Sequence, residues 1–265
     1  MENIRLYFKL IRICMQGKMQ YRADFLSGIA SVLVLNAVNL ALIGIMVNRF
    51  VSLNGWAIWD LVFLYCLWMM GHSIYSLLFW HLNTLEDYIE KGTFDQFLIR
   101  PVSPLVQFMG REIQYYGIGD VLVGIAGLSL AYVNLGLHWS AAQWGFLVMA
   151  ILCGAAIELC INWALACVSF WTVRTTALFI VQRRFGLLVQ QYPIDIFGTW
   201  FRMVVTGLLP VAFMNYYPAL VLLDKLDKAS PPWMAFLSPA AAVVLFLIAR
   251  SLWAAGIRRY SSTGS

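Results

Sequence analysis

Apolar windows of about 18 to 25 residues recur along the chain, and this feature constrains the fold most strongly. A helix rises about 1.5 Å per residue, so such a window crosses about 30 Å of hydrocarbon. Hydrophobic residues make up 62% of the 265 residues and charged residues only 12%, against about 45–50% and 25% in soluble domains. The sequence therefore predicts an all-α integral membrane protein.

Six windows are predicted to span the membrane, within a single domain that covers residues 1–265. The fifth window is interrupted by Arg202 and Pro210, and the apolar run at residues 216–223 after it is too short to cross. We expect a re-entrant or interfacial hairpin there, before the last span. The predicted spans are residues 25–47, 61–80, 117–135, 144–171, 196–214 and 233–253.

The first 24 residues lack the charged head and continuous apolar run of a secretory signal. Basic residues are instead spread through an interrupted apolar pattern, which predicts a helix lying in the membrane interface; a charged tail is the alternative. The basic residues concerned are Arg5, Lys9, Arg12, Lys18 and Arg22.

Lysine and arginine are distributed unequally between the two sides of this topology. If the N-terminus is cytoplasmic, the cytoplasmic side receives fourteen of the 18 basic residues. The other side receives Arg49, Lys225 and Lys228, and Arg202 falls within the fifth span. The positive-inside rule then predicts cytoplasmic termini and an even number of crossings. The net charge of +5 reflects this topology and does not indicate nucleic-acid binding.

Cysteine and histidine spacing favours neither disulfides nor a metal site. The sequence contains no CxxC pair, and His72 and His81 have no further ligands at metal-binding spacing. The five cysteines are Cys14, Cys66, Cys153, Cys160 and Cys167. The last three recur every seven residues on one helix face and are predicted to be packing residues.

The longest hydrophilic stretch, residues 81–116, follows the second span. Glu86 and Glu90 are one helical turn apart, and Gly92 can end their helix with a left-handed cap. A second short helix follows and must stop at Pro101. Because that helix carries an apolar stripe, we expect a docking surface directed away from the membrane. The stripe consists of Phe94, Phe97 and Leu98.

The order of these features resembles the permeases of the ABC-2 type export family, in particular its bacterial branch. The segment GTFDQFLIRPVSP at residues 92–104 carries the likeness after the second span. The runs LPVAF at 209–213, YYPA at 216–219 and GIRRYSSTG at 256–264 are similar to that branch as well. The resemblance extends over essentially the whole chain.

The resemblance implies a permease subunit of an ATP-driven exporter in the bacterial cytoplasmic (inner) membrane. Such a subunit forms the translocation path as a dimer, with an identical or an unlike second permease, and works with a dimer of separate ABC ATPase subunits. Residues 86–100 would be the coupling helix that seats in the ATPase, flanked by the N-terminal helix. The implied coupling residues are Glu86, Glu90, Phe94, Phe97, Leu98 and Arg100.

The chain offers no ATP site of its own. Its single Gly-Lys pair, Gly17-Lys18, fails the phosphate-loop pattern because Arg12 replaces the first glycine and Met19 replaces the serine or threonine. We therefore expect a non-catalytic subunit without a cofactor, and ATP and Mg bound by the partner.

Ionisable residues inside the spans are candidates for the translocation path or the dimer seam, because charge in hydrocarbon is costly. Glu158 lies near the middle of the fourth span, Asp120 about one turn into the third, and Arg202 in the fifth. For Asp120 and Glu158 the alternative is a helix-packing hydrogen bond or an ion pair with Arg174 or Arg202.

Two other functions remain open at this point. An intramembrane enzyme could use Glu158, Asp120 and His72, although no compact catalytic constellation is visible in the sequence. An ATP-independent carrier or an assembly scaffold would not need the docking helix.

Overall fold

The computed structural model describes residues 12–18, 20–50, 54–172, 174–228 and 231–260, and all the regular elements in these ranges are helices. Residues 1–11 of the predicted interfacial helix lie outside the described residues. In chain order the labelled helices are α1 (Arg22–Phe50), α2 (Ile58–Phe79), α3 (Leu85–Glu90), α4 (Asp95–Leu98), α5 (Pro104–Met109), α6 (Gly117–Asn134), α7 (Ala141–Cys167), α8 (Ser169–Thr172), α9 (Thr176–Gln191), α10 (Thr199–Met203), α11 (Tyr216–Leu222) and α12 (Ser238–Arg259).

The described residues confirm an all-helical membrane fold with five or six candidate spans. Five segments are long and apolar enough to cross a bilayer: Arg22–Met46, Ile58–Glu90, Gly117–Asn134, Ala141–Thr172 and Ser238–Arg259. A sixth candidate is a pair of helical segments, Thr199–Leu208 and Val211–Leu222, bent by 77° at a short break.

Helix α2 lies at the centre of the bundle. Its apolar window is 67% buried, against 11% for α1 and 17% for α12. Small residues let the neighbouring helices approach α2 closely. A Cβ atom at Gly127 of α6 would collide with Cys66 of α2, and one at Gly71 of α2 would lie 3.2 Å from the backbone of Ala155 in α7.

The chain begins and ends its membrane helices on one face of the bundle, here called the terminal face. Tyr115, two residues before α6, donates a hydrogen bond of 3.0 Å to Asp24 in the first turn of α1. Phe94, in the loop after α2, packs against Tyr260 just beyond α12. The ends of α1, α2, α6 and α12 therefore meet at this face.

Helix α9 runs from the terminal face to the opposite face. Glu86, just beyond α2, accepts hydrogen bonds from Thr176 at the start of α9. At the other end, Asp195 accepts a hydrogen bond from Trp56, just before α2. Sixteen residues of helix measure about 24 Å. The sequence analysis left this segment in a cytoplasmic loop, so α9 is an element that it did not predict.

The bent pair enters and leaves at the opposite face. Thr199–Leu208 starts next to Asp195, and Leu222 at the other end accepts a hydrogen bond from Trp139 in the α6–α7 loop. Between them, Asn215 donates to the backbone oxygens of Leu64 and Val189.

The bend of this pair lies within the predicted fifth span at residues 196–214, at the break between Leu208 and Val211 that contains Pro210. Proline has no N–H with which to continue a helix, and the turn precedes it directly. The apolar run at residues 216–223, where a hairpin is predicted, overlaps the second segment of the bent pair, Val211–Leu222.

Candidate functional site

A cleft of about 280 Å³ lies between α1, α2, α6, α7 and α9. Its walls combine aromatic rings with amide and carboxylate groups, an unusual composition for the interior of a membrane bundle. The aromatic walls are Tyr65, Trp68, Tyr75, Trp80 and Phe179, and the amides are Asn36, Asn39, Asn83, Asn162, Gln182 and Gln190.

Glu158 and His72 form a pair in this cleft. His72 Nδ1 lies 2.7 Å from Glu158 Oε1, and Glu158 is only 5% exposed. The close approach of α2 and α7 at Gly71 and Gly154 brings the two side chains within reach. The second carboxylate oxygen, Oε2, is buried and has no hydrogen-bond partner among the described residues.

Glu158 makes a helix-packing hydrogen bond, with His72, and the two arginines that the sequence analysis offered as ion-pair partners are wrong. Arg174 pairs instead with Glu90, at 3.4 Å between Nη2 and Oε1. Arg202 donates to the backbone oxygens of Asp195 and Phe197 at the opposite face. Neither arginine lines the cleft, so Arg202 is not brought together with Glu158.

Asp120 lines the cleft and also makes the helix-packing hydrogen bond that was weighed for it. Its Oδ1 accepts a hydrogen bond of 2.9 Å from Nδ2 of Asn36 in α1. The Tyr65 hydroxyl donates to the Oδ1 atom of the same asparagine. A series of buried hydrogen bonds between polar side chains thus joins α1, α2 and α6.

Helix α9 supplies one wall of the cleft, and sequence reasoning missed this wall. Gln182, Gly186 and Gln190 lie one helical turn apart and face α2, where Gly186 approaches the ring of Trp68. Arg183 stacks over the Trp80 ring, with 4.8 Å between the guanidinium carbon and the ring centroid. The i, i+4, i+8 spacing of these small and polar residues was the available signal.

A polar cluster joins three segments at the opposite face, beyond the end of α9. The Oδ2 atom of Asp195 accepts hydrogen bonds from Asn54 at 2.9 Å and from Trp56 at 3.1 Å. Lys228 lies 3.4 Å from the same oxygen, and Lys225 lies 3.2 Å from Asp60 in the first turn of α2. The cluster ties the loops at this end of α2 and α9 together.

The prediction that the stripe forms a docking surface is wrong for two of its three residues, Phe94 and Phe97. Phe94 and Phe97 are 0% and 3% exposed, because they pack inside the chain's own aromatic cluster. An apolar stripe shows only that a helix face is covered, and here the covering surface belongs to the same chain. The aromatic cluster includes Tyr88, Phe94, Phe97, Phe108, Phe170, Trp253 and Tyr260.

The outward surface of this loop is centred on Ile99, one residue beyond the end of the predicted stripe at Leu98. Ile99 is 82% exposed and Leu98 is 40% exposed, and Arg100 and Pro101 are exposed beside them. The predicted left-handed cap at Gly92 is confirmed by its φ of +66°. The loop therefore presents its apolar tip through Ile99 and not through the phenylalanines.

Glu86 connects the same loop to α9. Its carboxylate accepts hydrogen bonds from the backbone N–H groups and the hydroxyls of both Thr175 and Thr176. These groups form the start of α9, where N–H donors have no partner within the helix and a negative charge is favourable. Glu86 thus acts as the N-terminal cap of a helix that lines the cleft.

Comparison with known families decides what kind of membrane protein has this architecture. A family model described as "ABC-2 family transporter protein" matches residues 33–264. The chain belongs to the ABC-2 transporter family. Searches of the curated proteins and of the solved structures each returned no match.

Membership of the ABC-2 family confirms the resemblance that the loop segment and the span order indicated. It establishes a multi-pass membrane protein with a permease role. The matched region includes the cleft-lining parts of α2, α6, α7 and α9 and also the loop that carries Ile99. Within this ABC-2 chain, the cleft and the loop are joined through Glu86.

Proposed function

We propose that this chain is the membrane-spanning permease subunit of an ATP-driven exporter, powered by a separate ABC ATPase. The observation that carries the proposal is the cap that Glu86 forms on α9. It gives a direct mechanical connection between a cytoplasmic loop, where an ATPase would dock, and a helix that lines the polar cleft. A carrier without an ATPase would have no use for this connection.

The proposed topology has six crossings, made by α1, α2, α6, α7, α9 and α12, with the terminal face in the cytoplasm. The bent pair is a re-entrant hairpin in this topology, tolerated because its backbone is buried against α2 and α9. Arg202 then joins Arg49, Lys225 and Lys228 on the external side, and Arg183 and Arg184 fall within α9. Twelve of the 18 basic residues remain at the terminal face. Both termini are cytoplasmic, in the bacterial inner membrane.

The cleft is the proposed translocation path, in a dimer with a second permease that is identical or unlike. Asp120 and Glu158 line it, and the exposed apolar surface of α1 beside it is available to a second permease or to lipid. In this scheme Ile99 and Arg100 seat in the ATPase, while Glu86 transmits its movement to α9. Phe94 and Phe97 hold the loop in shape from within, and Glu90 pairs with Arg174 at its surface.

The His72–Glu158 pair also favours a second candidate, an intramembrane enzyme with a general base in the cleft. Against it, no serine, threonine, cysteine or lysine is among the described residues that line the cleft. Hydroxyl and thiol side chains are the nucleophiles that an adjacent general base commonly activates.

Purification of the tagged chain from its native membrane tests the proposal. We expect an ABC ATPase to co-purify, and ATP hydrolysis to require that subunit and not the isolated chain. ATP hydrolysis by the isolated chain, or the absence of any ATPase from the purified complex, would contradict it.

A further inference from the structure

The ligand of the cleft can be inferred from its charge and its walls. We propose that the cleft binds a monovalent organic cation with an apolar or aromatic body. This inference deepens the proposed function, on which it rests, by naming the class of molecule that would enter the translocation path. It depends on three features of the cleft: its buried carboxylates, its aromatic rings and the placement of its one arginine.

The first feature is buried negative charge that the side chains around it offset only in part. Glu158 and Asp120 are 5% and 7% exposed and face the same cleft. His72 occupies one oxygen of Glu158, and the other oxygen has no partner among the described residues. Asp120 is held by the neutral amide of Asn36. A carboxylate out of water is costly unless a cation or donor meets it, and a cationic ligand would supply both.

The second feature is the aromatic wall around these carboxylates. Aromatic faces attract cations within about 6 Å of the ring centroid, and quaternary ammonium groups are bound in this way in aromatic cages. Arg183 shows that a ring of this wall accepts a cation, because its guanidinium lies 4.8 Å from the centroid of Trp80. Trp68, Tyr65 and Tyr75 lie deeper along the same wall.

The third feature excludes an anion as the preferred ligand. Arg183 is the only arginine or lysine among the described residues that line the cleft, and it is exposed and already stacked on Trp80. Two carboxylates would repel an anion that passed this arginine, since like charges in a low dielectric interact strongly. The cleft volume of about 280 Å³ suits a small molecule and not a folded peptide.

Calorimetric titration of the purified full-length chain in detergent, without nucleotide, tests this inference. The probes are benzyltriethylammonium and benzenesulfonate, which share an aromatic ring and carry opposite charges. We expect the cation to bind and the anion not to bind. Glu158→Gln should weaken cation binding by about tenfold or more, as loss of a charged partner does, and Asp120→Asn should weaken it as well.

Glu158→Asp is the charge-conserving comparison, because it disturbs packing but keeps the carboxylate, and it should retain more cation binding than Glu158→Gln. Equal binding of both probes, no binding of the cation, or full binding by a folded Glu158→Gln chain would each overturn the inference. The titration involves no ATPase, so its failure leaves the co-purification result unchanged, and failure of the co-purification leaves the titration unchanged.

Discussion

Glu86 and Thr176 are hydrogen-bonded to each other across 90 residues of sequence, at the first turn of a helix that lines the polar cleft. Thr176 contributes both its backbone N–H and its hydroxyl to this contact. The contact fixes the start of α9 to the loop that carries Ile99. Movement of that loop must therefore either move α9 or break the cap.

Substitution of Glu86 by alanine removes this cap. A lost N-terminal cap costs about 1–2 kcal/mol, so we expect a lower melting temperature of the purified chain. Export should fall even at temperatures at which the variant chain remains folded, while the ATPase stays bound. Asp87→Ala, at the exposed neighbouring position, is the control and should leave both melting and export unchanged. Normal export by Glu86→Ala would show that coupling takes another route.

Close packing of α2 against α6 predicts the effect of adding a single methyl group. A Cβ atom at Gly127 collides with Cys66, and overpacking of this kind costs about 1–3 kcal/mol. We expect Gly127→Ala to lower the melting temperature. Gly145→Ala in α7, where no atom lies within 4 Å of the added Cβ, should leave it unchanged or raise it. Equal melting of the two variants would refute this packing.

The apolar windows were enough to predict the all-helical membrane fold. The windows at residues 25–47, 117–135 and 144–171 overlap long helices closely because a single continuous apolar run has only one way to satisfy its backbone in lipid. The sequence could not predict that α9 crosses the bundle. Its residues face a polar cleft on one side, so their mean hydropathy does not resemble that of a span.

The sequence predicted individual residues of the cleft but not the contacts between them. Glu158 and Asp120 could be picked out because charge within an apolar window is rare. The partner of Glu158 could not, because His72 is 86 residues away and only the contact of α2 with α7 brings it near. The stripe at Phe94 and Phe97 was misread for a related reason, since a sequence pattern does not show which surface covers an apolar face.

The proposed crossing by α9 predicts opposite accessibility for two introduced cysteines, in a Cys14→Ser background. Gly198→Cys follows α9 at an open position and should react with an impermeant maleimide added to sealed cells. Asp87→Cys lies at the terminal face and should react only after the cells are permeabilised. Labelling of both sites from the same side would contradict the proposed topology.

Co-purification of the ATPase with variants of the loop tests the central claim most directly. Ile99 is exposed and Phe97 is buried, so the two substitutions should separate docking from folding. Ile99→Asp should lower the amount of bound ATPase about tenfold, equivalent to about 1.4 kcal/mol, and leave the melting temperature of the chain unchanged. Phe97→Ala should destabilise the chain itself by about 3–5 kcal/mol. Full ATPase binding by Ile99→Asp would contradict the account.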